Sequence, residues 1–550
     1  MAFATGVAVV AAGSAMLPLA GVAQAGEVAT TSFVVVAKDA SSLAAARAAV
    51  QAAGGTVTSE DGELALLTAT SSAGDFATRT DASPAVYGVA ANRKVGVAPK
   101  QDKVTADLAS LAKAAVPPAP AAAEPLAGLQ WDMAMIGATP TGSYAKQRGK
   151  GVVVGIMDTG VDGTHPDIKP NFSSALSRNF VTDMPDIDGP CEHPSCVDPV
   201  DEDDDGHGTH VAGTIGAAIN GIGMAGVAPD VTIANIRAGQ DSGYFFLEPT
   251  VKALRYAADA GINVVNMSFY IDPWLYNCKA NPADSPAAQA EQRAIIEATQ
   301  RALEYAHQHK VTLISALGNE NSDLGNPPVD ESSPDYPAKA AYPRTIDNST
   351  CLSMPTEGKH VVGVSSVGPS GKKADYSNYG LEQNEVAAPG GFFRDYAGTP
   401  KTQQPGNLII APMPRNVAVA NGVVDPTTGA SLSSRVIAQC SAAGPANCTY
   451  WQYLQGTSMA SPHAVGVAAL IVGQYGEKLK NGRLTMDPDT VERVLERTAV
   501  DTACPAPVIT YTAEGRDSSY DAACIGSPRR NSIYGDGIIN ADRAVSAPRA

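Results

Sequence analysis

The chain lacks a surplus of basic residues. Its 550 residues include 39 Lys and Arg against 56 Asp and Glu, a formal net charge of −17, and no stretch gathers the basic residues into a block. A nucleic-acid-binding protein usually presents a basic face, so that class of function is excluded. The acidity favours solubility and disfavours attachment to anionic membranes. We therefore expect neither nucleic acid nor a membrane surface as a partner.

The chain also lacks any Cys-x-x-Cys pair, and no cysteine precedes residue 191. The missing pairs argue against a cysteine-based zinc site. The eight cysteines are even in number, which is typical of disulfides formed in an oxidising compartment. Local spacing predicts the disulfides Cys191–Cys196, Cys440–Cys448 and Cys504–Cys524. Elimination then leaves Cys278–Cys351 as the fourth.

Apolar runs long enough to reach across a bilayer are absent after the first segment. Residues 2–25 are rich in Ala, Val and Gly and end in Ala23-Gln24-Ala25, a small-x-small pattern typical of signal-peptidase sites. We interpret residues 1–25 as a signal peptide and expect a secreted protein, with a membrane anchor as the alternative. No Lys or Arg precedes the run, which leaves a start codon further upstream open.

The next hundred residues predict a small unit followed by a linker. Phe33–Val36 is an apolar, strand-like run, residues 41–53 form an Ala-rich helical stretch, and Leu64–Leu67 begins another strand. Residues 26–100 are therefore expected to fold as a small α+β domain. Residues 101–125 are rich in Ala and Pro, which predicts an extended linker open to proteolysis.

Beyond the linker, continuous apolar runs alternate with helical patterns. Such runs are typical of strands buried on both faces. Strand–helix alternation predicts an α/β fold, a parallel sheet with helices on both faces, whose active site lies at the carboxyl ends of the strands. The predicted strands are Val152–Ile156, Val231–Ile236, Ile262–Val265 and Val311–Leu317.

An aspartate directly follows the first of these strands, in Met157-Asp158-Thr159-Gly160. It is either a catalytic acid at the expected edge of the sheet or a carboxylate that caps a turn. Asp-Thr-Gly is also the signature of aspartic peptidases. Its would-be second copy, Asp241-Ser242-Gly243, follows no apolar strand and lies too close in sequence to belong to a second lobe. We therefore reject an aspartic peptidase.

A histidine and a serine stand in two further motifs. Gly206-His207-Gly208-Thr209-His210 suits the tightly packed start of a helix, and as a metal site it lacks a third ligand. Gly456-Thr457-Ser458-Met459-Ala460 opens a helix of small residues, where the helix dipole favours a developing oxyanion. Taken alone, this serine could equally be an ordinary N-cap.

Together, and in this order along the chain, the three motifs resemble the subtilisin-like serine peptidases. The resemblance spans about Leu126 to Val545 and implies Asp158 as the acid, His207 as the general base and Ser458 as the nucleophile. A serine hydroxyl is a weak nucleophile until a base takes its proton, and the acid orients that base. By the same resemblance Asn319 donates to the oxyanion and His210 is structural. This chemistry needs no metal or other cofactor.

The family binds the substrate backbone between two segments, here Gly243 with its neighbours and Ser268-Phe269-Tyr270. Ala316 and Gly318 belong, by the same resemblance, to the substrate-binding segment next to Asn319. Binding of this kind relies on main-chain hydrogen bonds and tolerates varied sequences. In the family a Leu-Gly usually follows the serine, whereas this chain has Phe269-Tyr270. A tyrosine at the cleft wall leaves the primary specificity open.

Three insertions depart from the minimal family pattern, at about residues 183–205, 391–450 and 504–524. The first carries ten carboxylates. It is either a solvated acidic loop or a site for calcium, which prefers hard oxygen ligands. Asp167 is similar to a family position near the triad acid and is a candidate calcium ligand, with turn capping as the alternative. Structural calcium is the one metal that we expect.

The resemblance also gives the N-terminal unit a role, because the family's propeptides are small α/β domains that assist folding and occupy the cleft. Residues 26–100 are therefore expected to be a propeptide and an intramolecular inhibitor of the peptidase domain, residues 126–550. Self-cleavage is expected between Pro99 and Leu126. We expect a monomeric, broad serine endopeptidase acting on proteins or peptides. The alternatives are a narrow processing peptidase, for which the acidic insertions favour basic substrates, and a catalytically silent binding protein.

Overall fold

The computed structural model describes residues 30–92, 124–335, 339–442, 444–480 and 482–548. The predicted signal peptide and residues 101–123 of the predicted linker lie outside these ranges. The first range forms the small α+β unit predicted from the sequence. Its elements are β1 Thr31–Ala37, α1 Leu43–Ala52, β2 Thr56–Asp61, β3 Leu66–Ser71, α2 Phe76–Asp81 and β4 Val86–Asn92.

The N-terminal sheet has the strand order β2-β3-β1-β4 with antiparallel pairing. The apolar run in β1 is continuous because β1 lies inside the sheet and is covered on both faces. Phe33 and Val35 pack toward α1 and α2. Val34 and Val36 point to the opposite face and join the core of the larger domain.

The larger domain follows in the remaining described ranges, and none of its described helices is long and apolar enough to cross a membrane. Its elements are α3 Trp131–Ile136, β5 Val153–Met157, β6 Arg178–Asn179, α4 Pro185–Asp188, α5 His207–Gly216, β7 Thr232–Arg237, α6 Leu247–Ala260, β8 Val264–Met267, β9 Asn277–Cys278, α7 Pro286–Gln308, β10 Thr312–Ala316, β11 Val329–Asp330, β12 Arg344–Thr345, β13 Cys351–Leu352, β14 Val361–Val367, β15 Val386–Pro389, β16 Ile409–Met413, α8 Arg415–Ala420, β17 Val436–Cys440, β18 Cys448–Leu454, α9 Thr457–Tyr475, β19 Glu477–Lys478, β20 Leu484–Thr485, α10 Pro488–Thr498, β21 Val508–Ile509, β22 Ala522–Ala523 and α11 Ala541–Ser546.

A seven-stranded sheet of order β15-β14-β10-β8-β5-β7-β6 is the centre of this domain, and its strands are parallel. Val154 and Ile156 of β5 face α5, α9 and α10, whereas Val153 and Met157 face α6 and α7. The predicted α/β architecture, with helices on both faces of a parallel sheet, is confirmed.

Each of the three predicted insertions contains one disulfide, Cys191–Cys196, Cys440–Cys448 or Cys504–Cys524. All four predicted pairs are present, Cys191–Cys196, Cys278–Cys351, Cys440–Cys448 and Cys504–Cys524. The second insertion contributes β16, β17 and β18, an antiparallel sheet of order β16-β18-β17. The third holds the β21–β22 pair. The first contains α4 and leads directly into α5.

The N-terminal unit packs with its open sheet face against α6 and α7. Val34, Val36 and Leu66 share one apolar cluster with Ala253 and Ile295 of those helices. Arg301 on α7 reaches across the contact and donates to four backbone carbonyls of the N-terminal unit, at distances of 2.9, 3.1, 3.5 and 3.2 Å. Arg255 and Arg293 add ion pairs to Asp61 and Asp81 of the unit, at 3.2 and 3.9 Å. The unit is therefore held by apolar burial and by cationic side chains, of which Arg301 makes the most hydrogen bonds to it.

Candidate active site

Asp158 and His207 meet at the carboxyl end of β5. Asp158 is the first residue after the strand and is fully buried, and His207 is the first residue of α5. The His207 Nδ1 atom lies 2.7 Å from Asp158 Oδ1. Thr159 N also donates to that oxygen, at 2.8 Å. The carboxylate is thus placed to fix the ring orientation and leave Nε2 for chemistry.

Close packing at the start of α5 explains the glycine after the histidine. A Cβ at position 208 would lie 2.1 Å from the carbonyl oxygen of Gly160 and 3.0 Å from the Cβ of Asp158. No side chain fits there unless α5 moves away from the loop after β5. Gly208 therefore allows the close approach of Asp158 and His207.

Asp203, which the sequence analysis did not single out, joins the same two elements. Its Oδ1 accepts from Thr159 Oγ1 at 3.1 Å and from Gly206 N at 2.9 Å. Its Oδ2 accepts from Thr209 N at 2.9 Å and from Thr209 Oγ1 at 2.6 Å. Asp203 is buried. It holds the start of α5 against the loop that follows Asp158, and its place in a run of acidic residues hid this role.

The carboxylates around His207 change its basicity. Burial disfavours the protonated ring, but the nearby Asp158, Asp205 and Asp203 carboxylates outweigh burial and raise the pKa of His207 to about 9. Asp205 Oδ1 accepts from His207 N at 3.0 Å. Burial, followed by the charge of Asp203, raises the pKa of Asp205 itself to about 6. Near neutral pH the ring is therefore mostly protonated, and the basic form grows as pH rises.

Ser458 is the second residue of α9 and is buried to 7 % exposure. Its Oγ donates to the Ser268 carbonyl at 3.4 Å, a weak bond. His207 Nε2 is buried and has no hydrogen-bond partner among the described residues. The Ser458–His207 hydrogen bond is thus not formed in this structure. Such bonds are often long in unliganded enzymes and shorten when substrate binds.

Asn319 is held in place by Thr457, the residue before the nucleophile. Asn319 Oδ1 accepts from Thr457 N at 2.9 Å and from Thr457 Oγ1 at 3.0 Å. Thr457 Oγ1 in turn accepts from Gly318 N at 3.1 Å. These bonds engage the amide oxygen and thereby orient the amide group. Thr457 is a second positioning residue that sequence reasoning missed.

The predicted substrate segments lie side by side. Gly243 is exposed, with φ of +85°, in the loop after β7. Two residues later Phe245 stacks on Phe269, with ring centroids 4.0 Å apart, so this loop contacts the segment that contains Ser268. Ala316 ends β10, and Gly318 follows with φ of +107°. Of these residues Ser268 lies against Ser458, since its carbonyl accepts from Ser458 Oγ at 3.4 Å. Their part in substrate binding stays a prediction.

Tyr270 stands where the family usually has a glycine, two residues after Ser268. Its hydroxyl donates to Asp335 Oδ2 at 2.7 Å. Burial, followed by the charges of Asp272 and Asp335, raises the pKa of Tyr270 well above its usual value. The ring thus stays a neutral donor, and the wall next to Ser268 carries a tyrosine backed by carboxylates.

A second buried Asp–His pair lies behind Ser458. His463 Nε2 lies 2.9 Å from Asp132 Oδ2, and its Nδ1 lies 2.8 Å from the carbonyl oxygen of Met459. Asp132 and His463 are both fully buried. The pair ties α3, near the start of the larger domain, to the first turn of α9. Sequence reasoning had no signal for it, because 331 residues separate the two side chains.

The candidate calcium ligands fall in two places. Asp167 Oδ2 accepts from Trp451 Nε1 at 2.8 Å and from Met224 N at 3.2 Å, and burial raises the pKa of Asp167 to about 7. These donors occupy one carboxylate oxygen, while the buried Oδ1 has no hydrogen-bond partner among the described residues. Calcium at Asp167 stays a prediction.

The acidic insertion forms a different cluster, around Arg237. Asp183, Asp198 and Asp241 are ion-paired to this single buried cation. Each nevertheless keeps one buried carboxylate oxygen without a hydrogen-bond partner among the described residues. Burial raises the pKa of Asp241 to about 8. A hard cation would fit this surplus of negative charge and unpaired oxygens.

Comparison with known proteins places most of the chain in one family. The family model described as the Subtilase family matches residues 149–537. Fervidolysin from Fervidobacterium pennivorans is 26 % identical over 388 residues, which cover 69 % of this chain and 41 % of fervidolysin. Subtilisin DY from Bacillus licheniformis is 26 % identical over 332 residues, covering 60 % of this chain and 79 % of that protein.

Solved structures show the same fold. The epidermin leader peptide processing serine protease EpiP from Staphylococcus aureus superimposes with a TM-score of 0.61 at 20 % identity, covering 95 % of this chain and 99 % of EpiP. The crystal structure of fervidolysin, a keratinolytic enzyme related to subtilisin, gives a TM-score of 0.55 at 20 % identity, covering 96 % of this chain and 62 % of that chain.

Proposed function

The chain belongs to the subtilase family of serine peptidases, and we propose that it is a secreted serine endopeptidase acting through Asp158, His207, Ser458 and Asn319. The observation that carries this proposal is the 2.7 Å contact between His207 Nδ1 and Asp158 Oδ1. This contact lies at the sheet edge where α9 presents Ser458 and where Thr457 fixes the Asn319 amide.

The proposed reaction is acyl transfer. Ser458 Oγ attacks the scissile carbonyl carbon while neutral His207 takes its proton at Nε2, and Asp158 stabilises the resulting imidazolium. The oxyanion accepts hydrogen bonds from Asn319 Nδ2 and from Ser458 N–H. His207 then gives its proton to the leaving amine, which departs and leaves an acyl-enzyme. Water, activated by the same histidine, hydrolyses the ester and restores Ser458.

Narrow specificity is the second candidate, and Tyr270 favours it. Its side chain occupies the wall where the family usually has glycine, and its hydroxyl is bonded to Asp335. Burial and the adjacent Asp335 carboxylate raise the pKa of Asp272 well above its usual value. A peptide-library digest separates the two candidates: a broad enzyme cleaves after many residue types, whereas a processing enzyme cleaves after few.

The N-terminal unit fits the role of a propeptide. It has no catalytic set, its sheet packs on α6 and α7, and in sequence it precedes the predicted linker. We propose that it inhibits in cis and that the first cleavage is intramolecular. Ser458→Ala should then persist as an uncleaved proform when it is produced without other proteases. If the purified Ser458→Ala chain is cleaved at the wild-type bond with no protease present, another enzyme performs the processing.

The site that supports calcium best is the cluster around Arg237. Calcium would stabilise the insertion that leads into α5 and would take no part in the chemistry. Secretion is supported by the predicted signal peptide and by the four disulfides, since such bonds persist in oxidising compartments.

Covalent labelling tests the catalytic assignment. A fluorophosphonate should label the wild type and an exposed-serine control, Ser349→Ala, but neither Ser458→Ala nor His207→Ala. Asn319→Ala should still be labelled, while its peptide hydrolysis falls by at least ~10²-fold because one oxyanion donor is lost. A wild-type protein that binds peptides but is never labelled would instead be a silent binding protein on this scaffold.

A further inference from the structure

Two histidines and two carboxylates meet at the edge of the central sheet opposite the catalytic residues. Glu304 and His307 lie on the last turns of α7, three residues apart and therefore on one face of the helix. His360 lies in the loop directly before β14, and Asp489 lies in the first turn of α10. The loop and α10 lie close to the amino ends of the strands, whereas Asp158 and Asn319 follow the carboxyl ends.

Three of these residues bring potential ligand atoms close together, and the fourth, Glu304, contacts one of them. His307 Nε2 lies 2.7 Å from Asp489 Oδ1, and His360 Nε2 lies 2.9 Å from Glu304 Oε2. One ligand atom from each of His307, His360 and Asp489 lies within 4.8 Å of the others. The two imidazole rings stack with their centroids 3.8 Å apart.

The backbone holds His360 in this position. Its φ is +68°, a left-handed conformation that favours glycine, although the side chain is a histidine. Next to it, Lys359 N donates to Gln300 Oε1 of α7 at 2.9 Å, which fastens the loop to the helix. The side chains of His307 and His360 are 16 % and 30 % exposed. An ion from solvent can therefore reach them.

The donor set identifies the class of ion. Imidazole nitrogens with carboxylate oxygens suit zinc and related transition metals, whereas calcium and magnesium prefer sites made of oxygen alone. Four side chains are also the number that a closed structural zinc site uses. The stacked rings would rotate about their Cβ–Cγ bonds so that both lone pairs converge, and their partial exposure leaves room for this rotation.

We propose that Glu304, His307, His360 and Asp489 bind one zinc ion, which clamps the end of α7, the loop before β14 and the start of α10. The ion would replace the two His–carboxylate hydrogen bonds and join three elements that the chain connects only through long segments. Its role is structural, because the residues lie at the sheet edge away from Ser458. The proposal does not depend on the proposed peptidase activity.

The proposal is tested by measuring zinc binding to the full chain. The chain carries Ser458→Ala, which prevents autolysis. Calorimetric titration with Zn²⁺ should give one site of micromolar or tighter affinity, and saturation should raise the melting temperature, since a ligand bound only to the native state stabilises it. Ca²⁺ and Mg²⁺ should not compete for this site. Co²⁺ should give the strong visible absorption of a four-coordinate nitrogen–oxygen site.

Matched variants locate the binding. His360→Ala and Asp489→Asn, each added to Ser458→Ala, should lose the zinc site and the thermal shift. His309→Ala should keep both, because His309 lies on the same stretch of chain but stacks on Tyr305, outside the cluster. The proposal is overturned if the parent protein shows no binding in the micromolar range. It is equally overturned if His360→Ala keeps the parent's zinc stoichiometry and thermal shift, since the ion is then bound elsewhere.

Discussion

Replacing Arg301 should release the N-terminal unit from the peptidase domain. Arg301 Nη1 donates to Ala37 O and Leu64 O at 2.9 and 3.1 Å, and Nη2 donates to Lys38 O at 3.2 Å. Its side chain is 19 % exposed, so the bonds are largely shielded from water. Loss of such a central anchor costs ~2–4 kcal/mol of binding free energy. At ~1.4 kcal/mol for each tenfold change, Arg301→Ala should weaken inhibition by roughly 30- to 700-fold.

The assay titrates the purified N-terminal unit against the mature enzyme and follows hydrolysis of a fluorogenic peptide. Arg293→Ala is the matched control on the same helix, because its nearest contact in the unit is Asp81 at 3.9 Å, with both side chains about a third exposed. An exposed pair of this kind contributes only ~0–1 kcal/mol. An inhibition constant for Arg301→Ala equal to that of Arg293→Ala would refute the reasoning, as would a loss of intrinsic activity in the mature Arg301→Ala enzyme.

Three further predictions concern pH, calcium and the buried pair behind the nucleophile. The acid limb of kcat/KM against pH should reflect the raised pKa of His207, with activity still rising toward pH 9, because only the neutral ring accepts the serine proton. Asp205→Asn removes one of the charges that raise this pKa and should move the acid limb to lower pH. An unchanged acid limb in Asp205→Asn contradicts this cause. Chelation should lower the melting temperature of the wild type but not of Asp241→Asn, measured by scanning calorimetry, and an unresponsive wild type removes calcium from the Arg237 cluster. Asp132→Asn should lower kcat by ~10-fold or more with KM nearly unchanged, because the first turn of α9 shifts while the substrate segments stay in place. A rise in KM alone would show that the Asp132–His463 pair does not position Ser458.

The parts of the site that could be predicted from the sequence are those that sit in continuous motifs. Asp158 follows a buried strand, and His207 and Ser458 begin helices whose small residues allow close packing. The α/β alternation fixed the edge of the sheet at which all three had to lie. The disulfides were equally predictable because three of the four close short loops, of 5, 8 and 20 residues.

The parts that could not be predicted depend on contacts between distant segments. Nothing near Thr457 in sequence indicates that it orients an amide 138 residues away. A local turn also shifts the start of β3, which was expected at Leu64 and lies at Leu66. Asp61 Oδ1 accepts from Leu64 N at 3.0 Å, and Ala65 has a φ of +54°, so neither residue joins the strand. The side-chain cap of Asp61 therefore extends the turn by two residues.

The described end of the predicted linker and the residues after it contact the peptidase domain, and this limits where processing can occur. Glu124 Oε1 accepts from Gly221 N at 3.1 Å, and Leu126 N donates to Gly223 O at 2.7 Å. A few residues later Asp132 reaches His463 behind the nucleophile. Cleavage after Glu124 would remove the first of these contacts from the mature chain. Within the expected window from Pro99 to Leu126, we therefore predict that the cleaved bond precedes Glu124, so that both contacts stay in the mature chain.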